Sequence, residues 1–225
     1  KEKVQQLLAF ERERYLEGNA VDIKHKMPLA LEDNQSYVYY SKGALNLYAL
    51  QEYISEDSVN LALKRFIQDW NTFDGTLQTN RYATTEDLLG YLRAVTPDSM
   101  QYLISDLFEK VILFDNKITA GSYEQLADNQ YKINLNLAAN KYEIDSLGTE
   151  TVLSINDWIE IGVYTQDTTG KDQLIYTQKH KVTARITDLE IIVNQKPSKA
   201  GISPFNVLIN KNSEDNMISI EKKIL

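Results

Sequence analysis

Apolar residues recur at a helical period through the first half of the chain and at a period of two through the second. Val4, Leu7, Leu8, Glu11 and Tyr15 fall at helical spacing and predict an amphipathic first helix, stopped by Gly18-Asn19. A polar stretch through Pro28 to Gln35 then predicts a long loop. From about Gly43 to Ile54, Leu45, Leu47, Tyr48, Leu50, Tyr53 and Ile54 cover most faces of a second helix. A helix apolar nearly all round belongs in a core. Residues 58–70 set Val59, Leu63, Phe66, Ile67 and Trp70 on one stripe. Thr84 with Asp87 has the form of a capping box ahead of Leu88, Leu89 and Leu92. Thr96-Pro97 predicts the cap and start of a fifth helix, where Met100, Leu103, Ile104, Leu107 and Phe108 repeat at i, i+3, i+4, i+7 and i+8.

From Ile112 onward the period changes. Tyr131, Ile133, Leu135 and Leu137 alternate with Lys132, Asn134 and Asn136; Ile159, Ile161 and Val163 alternate with Glu160, Gly162 and Tyr164; Leu189, Ile191 and Val193 repeat the pattern. Turn residues stand between these runs at Asp128-Asn129, Ser146-Leu147-Gly148 and Thr168-Thr169-Gly170-Lys171, the spacing of a small antiparallel sandwich. No helical stretch of comparable strength interrupts them, which disfavours a parallel βαβ sheet. The predicted fold class is α+β in two domains. An all-α helical domain over 1–115 precedes an antiparallel, immunoglobulin-like β-sandwich over 116–225, with the junction between about Val111 and Tyr131. There is no internal repeat and no low-complexity segment.

Composition narrows the function. With 225 residues, of which 43% are hydrophobic, the chain can fill real cores. Its net charge is -8, and acidic side chains outnumber basic ones both before and after Asp115. That balance argues against nucleic acid or an anionic membrane as a partner. The absence of cysteine excludes disulfides, thiolate zinc sites and cysteine nucleophiles. No apolar run approaches the eighteen or so residues of a membrane span, so no direct membrane insertion is expected. Lys1-Glu2-Lys3-Val4 has no signal-peptide pattern, and the first helix opens without a cap, as expected of a segment excised from a longer protein.

Little in the chain marks an active site. His25 and His180 each lie in a Lys-His-Lys run, far apart in sequence, where a solvated histidine is the ordinary reading. Glu11, Glu13, Asp69, Asp106 and Glu109 read as solvated helix faces. Gly90, Gly121 and Gly170 stand alone and form no phosphate loop, and no serine sits in a nucleophile elbow. One cluster is unusual: Tyr37, Tyr39 and Tyr40 stand just ahead of the second helix. A phenol stays protonated at neutral pH and can donate a hydrogen bond to a developing oxyanion. The alternative is packing, with the hydroxyls on backbone carbonyls.

Met27-Pro28-Leu29, Asn34-Gln35, Tyr37 and the run Tyr40-Ser41-Lys42-Gly43-Ala44-Leu45 resemble the segment downstream of the zinc site in M1-family zinc aminopeptidases. The likeness continues through Ile54-Ser55-Glu56-Asp57, Val95-Thr96-Pro97-Asp98-Ser99, Asp106-Leu107-Phe108-Glu109, Asp157-Trp158-Ile159-Glu160-Ile161-Gly162 and Lys199 to Asn206. It is nearest to the bacterial branch joined to an ABC-2-type permease membrane region.

The resemblance implies a zinc enzyme whose His-Glu-x-x-His helix, distant glutamate ligand and Gly-x-Met-Glu-Asn-type substrate loop have no counterpart in this chain. Zinc is therefore expected in the intact parent protein and not in this segment, which is expected to be inactive alone. What matches is the family's Tyr-x-Lys-Gly element, whose tyrosine stabilises the tetrahedral intermediate; by position that is Tyr40. Ser41 stands where the family often has glutamate. Tyr37 and Tyr39 keep the packing reading. The implied partners are a peptide substrate and the rest of the catalytic domain upstream of Lys1. The parent is expected to be membrane-anchored with this region outside the bilayer, or else cytoplasmic. The β half resembles the structural sandwich of these enzymes, with Trp158 in its core and Lys196-Pro197 to Asn206 as a turn. The rival reading is a non-catalytic interaction module, independent or descended from a peptidase that lost its zinc.

Overall fold

The computed structural model describes residues 2–22, 25–32, 34–70, 81–212 and 214–223. Lys1 and Lys24, part of the patterns above, lie outside them. The described chain is α+β, with five α-helices and two sheets dominated by antiparallel pairing.

Helix α1 (Glu2–Val21) buries Leu8 and Tyr15 but leaves Val4 and Leu7 exposed. It also runs straight through Gly18-Asn19, which is not the predicted stop. Gly18 serves a different purpose: a methyl group built there would meet the Tyr37 ring at 2.5 Å from Cγ. The missing side chain is the space in which that ring lies. Gly18→Ala gains about 1 kcal/mol of helix propensity but forces an aromatic ring aside in a packed site, which costs about 1–3 kcal/mol. The expected net result is a loss of up to about 2 kcal/mol, read as a lower urea midpoint with an unchanged slope. A midpoint raised by the substitution would contradict this.

The predicted loop after α1 contains one short 3₁₀ turn, Leu29–Leu31. The second helix then begins earlier than its apolar pattern. Tyr37–Lys42 is π-helical and continues directly into α2 (Gly43–Ile54), which buries Leu45, Asn46, Ala49, Leu50 and Ile54. Helix α3 (Glu56–Trp70) buries Val59 and Ala62, whereas Ile67 is exposed. At about 100° per residue, Ile67 falls about 80° round from Val59, on the side away from Ala62.

Thr84 and Asp87 form the predicted reciprocal capping box at the start of α4 (Thr85–Val95). Thr96 departs from expectation. It closes the end of α4, its hydroxyl donating to the Leu92 carbonyl at 2.7 Å, and does not cap the helix that follows. That fifth helix is also more broken than its regular spacing suggests. A 3₁₀ turn Asp98–Met100 leads to α5 (Tyr102–Ile104), which widens into a π-helical turn Ser105–Glu109. Leu103, Ile104, Leu107 and Phe108 are buried as predicted.

Among the described residues nine strands follow: β1 (Ile112–Ala127), β2 (Gln130–Ile144), β3 (Glu150–Leu153), β4 (Asp157–Gln166), β5 (Asp172–Val182), β6 (Ile186–Val193), β7 (Lys199–Ile202), β8 (Met217–Ser219) and β9 (Glu221–Lys222). One sheet has the order β3-β2-β1-β9 with β6 also on β2, and the other runs β5-β4-β7-β8. The period-two pattern sets the buried positions: Ile133, Leu135 and Leu137 on β2, and Ile159, Ile161 and Val163 on β4, are all nearly inaccessible. Strand β6 pairs with β2 so that Leu135 faces Leu189, and β4 pairs with β5 so that Ile159 faces His180. Asn129, Gly148 and Gly170 have φ of 57°, 86° and 81°, the left-handed conformation that the three predicted turns require. Trp158 is only half-buried, on the β4 face opposite Ile159 and Ile161, with the Lys181 ammonium 5.8 Å from its ring. It is not a core residue, because alternation turns it outward.

By its internal contacts the chain divides into two compact units. One comprises Lys1–Ile112 with Glu143–Glu150, and the other Leu113–Tyr142 with Thr151–Leu225. The second unit contains a buried ion pair between Lys141 on β2 and Asp157 on β4, at 3.0 Å. Among the described residues no helix is long and apolar enough to cross a membrane.

Candidate functional site around Tyr40

The three tyrosines share one π-helical turn but point to different surroundings. Tyr37 is half-buried: its ring centroid lies 6.0 Å from that of Tyr15, and its hydroxyl donates to Asp22 Oδ2 at 3.2 Å and Gln35 Oε1 at 3.4 Å. Side chains, and not the backbone carbonyls expected of a packing tyrosine, therefore satisfy it. Burial, together with the nearby Asp22 carboxylate, pushes the Tyr37 phenol well above its ordinary pKa.

Tyr39 and Tyr40 face outward, 44% and 64% exposed, with ring centroids 4.6 Å apart at 54°. Among the described residues the Tyr40 hydroxyl has no hydrogen-bond partner. A phenol presented in this way has a donor to spare, and the buried α2 behind it keeps its backbone fixed.

Two residues beyond Tyr40 lies a lysine that sequence reasoning did not single out. Lys42 is 1% exposed, its Nζ donates to the Lys110 carbonyl at 3.2 Å, and it stands 5.5 Å from the centroid of the Tyr15 ring. Removal from water lowers its pKa to about 7. One turn on, the Asn46 side-chain amide donates to the Leu107 carbonyl. The Leu107 carbonyl lies in the terminal π-helical turn of the fifth helix and the Lys110 carbonyl on the extended residue that caps it, where backbone acceptors lack helical partners. The Ser41 hydroxyl beside Lys42 is buried with no hydrogen-bond partner among the described residues. Only the apolar character of α2 around Lys42 and Asn46 hinted that these two polar side chains would be enclosed.

The other candidates do not converge on this turn. His25 lies in the helical unit with its Nδ1 3.3 Å from the Ser146 carbonyl oxygen. His180 lies in the β unit, its Nε2 2.7 Å from the Tyr176 hydroxyl and its pKa lowered by burial. Glu13 and Asp69 are exposed as expected, but Glu11, Asp106 and Glu109 are half-buried. Asp69 accepts from the Tyr91 hydroxyl at 2.7 Å, and Glu109 pairs with Arg93. Among the described residues no three His, Asp or Glu side chains are grouped to hold a metal ion. No protein-family model matches the chain, and no curated protein matches it.

Proposed function

We propose that this chain is the C-terminal portion of a zinc-dependent, M1-type aminopeptidase that removes N-terminal residues from peptides. In this reading the helical unit completes the catalytic domain, and the two-sheet unit is an immunoglobulin-like β-sandwich serving as a structural spacer. The zinc ligands belong to the part of the catalytic domain upstream of Lys1, and the parent is membrane-anchored. Tyr40 donates a hydrogen bond to the oxyanion that forms when the scissile carbonyl becomes tetrahedral.

The observation that carries the reading is the exposed Tyr40 phenol, without a hydrogen-bond partner among the described residues, at the head of a buried helix, within Tyr40-Ser41-Lys42-Gly43. An oxyanion donor has to be pre-aimed and unspent, because a phenol already satisfied in the ground state would lose one bond to make another. Kinetics of Tyr40→Phe in the zinc-containing parent test it.

A second reading, a non-catalytic interaction module, draws on Val4, Leu7 and Phe10, which are 42%, 59% and 58% exposed on α1. Sequence upstream of Lys1 separates the two. An intact His-Glu-x-x-His motif on a helix supports the enzyme, and a degenerate one supports the module.

A further inference from the structure

A π-helical turn is rare and packs its hydrogen bonds less well than an α-helix, so it persists where surrounding contacts over-determine it. Around Tyr40 two such contacts stand at the two ends of the turn. At the first end, the Tyr37 ring fills the space left by Gly18 and its hydroxyl is held by Asp22. At the last, the buried Lys42 amine is held by the Lys110 carbonyl under the Tyr15 ring, and Asn46 on the same face is held by Leu107. The Gly43 amide bridges the wide turn, reaching the Val38 carbonyl five residues back as well as that of Tyr40.

Rewinding the turn to α geometry removes the equivalent of one residue and rotates Tyr37 by about 100° relative to Lys42. Both anchors can then no longer be satisfied together. We infer that Lys42 is a positioning residue: its hydrogen bond to the Lys110 carbonyl holds the π-helical register of Tyr37–Lys42 and so sets the direction in which Tyr40 presents its phenol. A purely apolar side chain fills the same space with no loss of burial, but it leaves the turn free to tighten. The catalytic meaning of this inference rests on the proposed role of Tyr40, whereas its geometric content does not.

The test is NMR on this chain, wild type against Lys42→Met, which keeps length and apolarity and removes the donor. The Tyr40 and Gly43 resonances are expected to move, and the Gly43 amide to exchange with solvent about tenfold faster or more. The Leu89 and Leu92 signals should stay near wild type. Unchanged Tyr40 and Gly43 signals overturn the inference. If the variant does not fold, the wild type decides: Lys42 Nζ protons protected from exchange support the clamp, and protons exchanging like those of surface lysines overturn it. In the zinc-containing parent, Lys42→Met should lower kcat about tenfold or more with KM unchanged. An unaltered kcat, where Tyr40→Phe is impaired, removes the positioning role. If Tyr40→Phe is itself active while the NMR signals move as expected, the oxyanion reading fails and the geometric inference stands.

Discussion

Tyr40→Phe in the zinc-containing parent is expected to lower kcat by about 10²–10³, equivalent to about 3–4 kcal/mol of barrier, with little change in KM. The argument starts from the exposure of Tyr40: its ring already lies outside the core, so loss of the hydroxyl removes no buried contact and folding should be unaffected. The bond it donates strengthens only as charge gathers on the former carbonyl oxygen, so ground-state binding should barely respond. Tyr39→Phe is the sharper control, because it preserves the ring that lies 4.6 Å from Tyr40. Tyr37→Phe should also stay near wild-type activity, although losing the bond to Asp22 costs about 1 kcal/mol of stability. If Tyr40→Phe keeps most of its kcat while either control loses it, the assignment is wrong. If all three stay active, the oxyanion donor lies elsewhere.

The stability of this chain should rise with pH across the window opened by Lys42. Burial lowers its pKa to about 7 in the folded state, against about 10.4 for an unfolded lysine. Between those values the unfolded chain holds a proton at this position that the folded chain has released, so acid favours unfolding. The penalty on the fold is full below about pH 7 and fades as pH approaches the unfolded value, with a slope of up to about 1.4 kcal/mol per pH unit. Tyr15 and Tyr37 act in the opposite sense at higher pH. Their folded pKa values are raised by burial, so above about pH 10 the unfolded chain ionises first and stability falls. Urea titrations of wild type and Lys42→Met at pH 6, 7, 8 and 9 isolate the lysine, since the tyrosines are common to both. The difference between the two should narrow by about 2 kcal/mol or more across that series. A difference independent of pH would mean that Lys42 stays charged in the fold.

Much of the α+β architecture was legible in the sequence because burial of a regular element leaves a period. The change from a helical period to a period of two near Ile112 marks where β1 begins. Alternation located the inward residues of β2 and β4, and it would have turned Trp158 outward had it been applied there in preference to the expectation that tryptophan is buried. The capping box at Thr84 and Asp87 was legible because it is a local exchange of hydrogen bonds within four residues.

Gly18 was misread because glycine signals either a stop or a close approach, and only the position of Tyr37, nineteen residues away, decides which. Thr96 was ambiguous for a similar reason, since one hydroxyl can serve the end of one helix or the start of the next. The π-helical turns at Tyr37–Lys42 and Ser105–Glu109 have no sequence period of their own. They arise where carbonyls at the end of one helix meet donors on another.

The sequence by itself thus determined the run of helices, the alternation of β2, β4 and β6 with many of the positions these elements bury, and that a tyrosine cluster stands ahead of an apolar helix. These are consequences of local hydrogen bonding and of amphipathic spacing, both complete within a few turns of chain. Only the tertiary structure decided that Tyr37 turns inward while Tyr40 stays exposed, and that Lys42 is enclosed against a carbonyl 68 residues away. Desolvation and close packing depend on what arrives from distant parts of the chain, and no window of neighbouring residues contains that information.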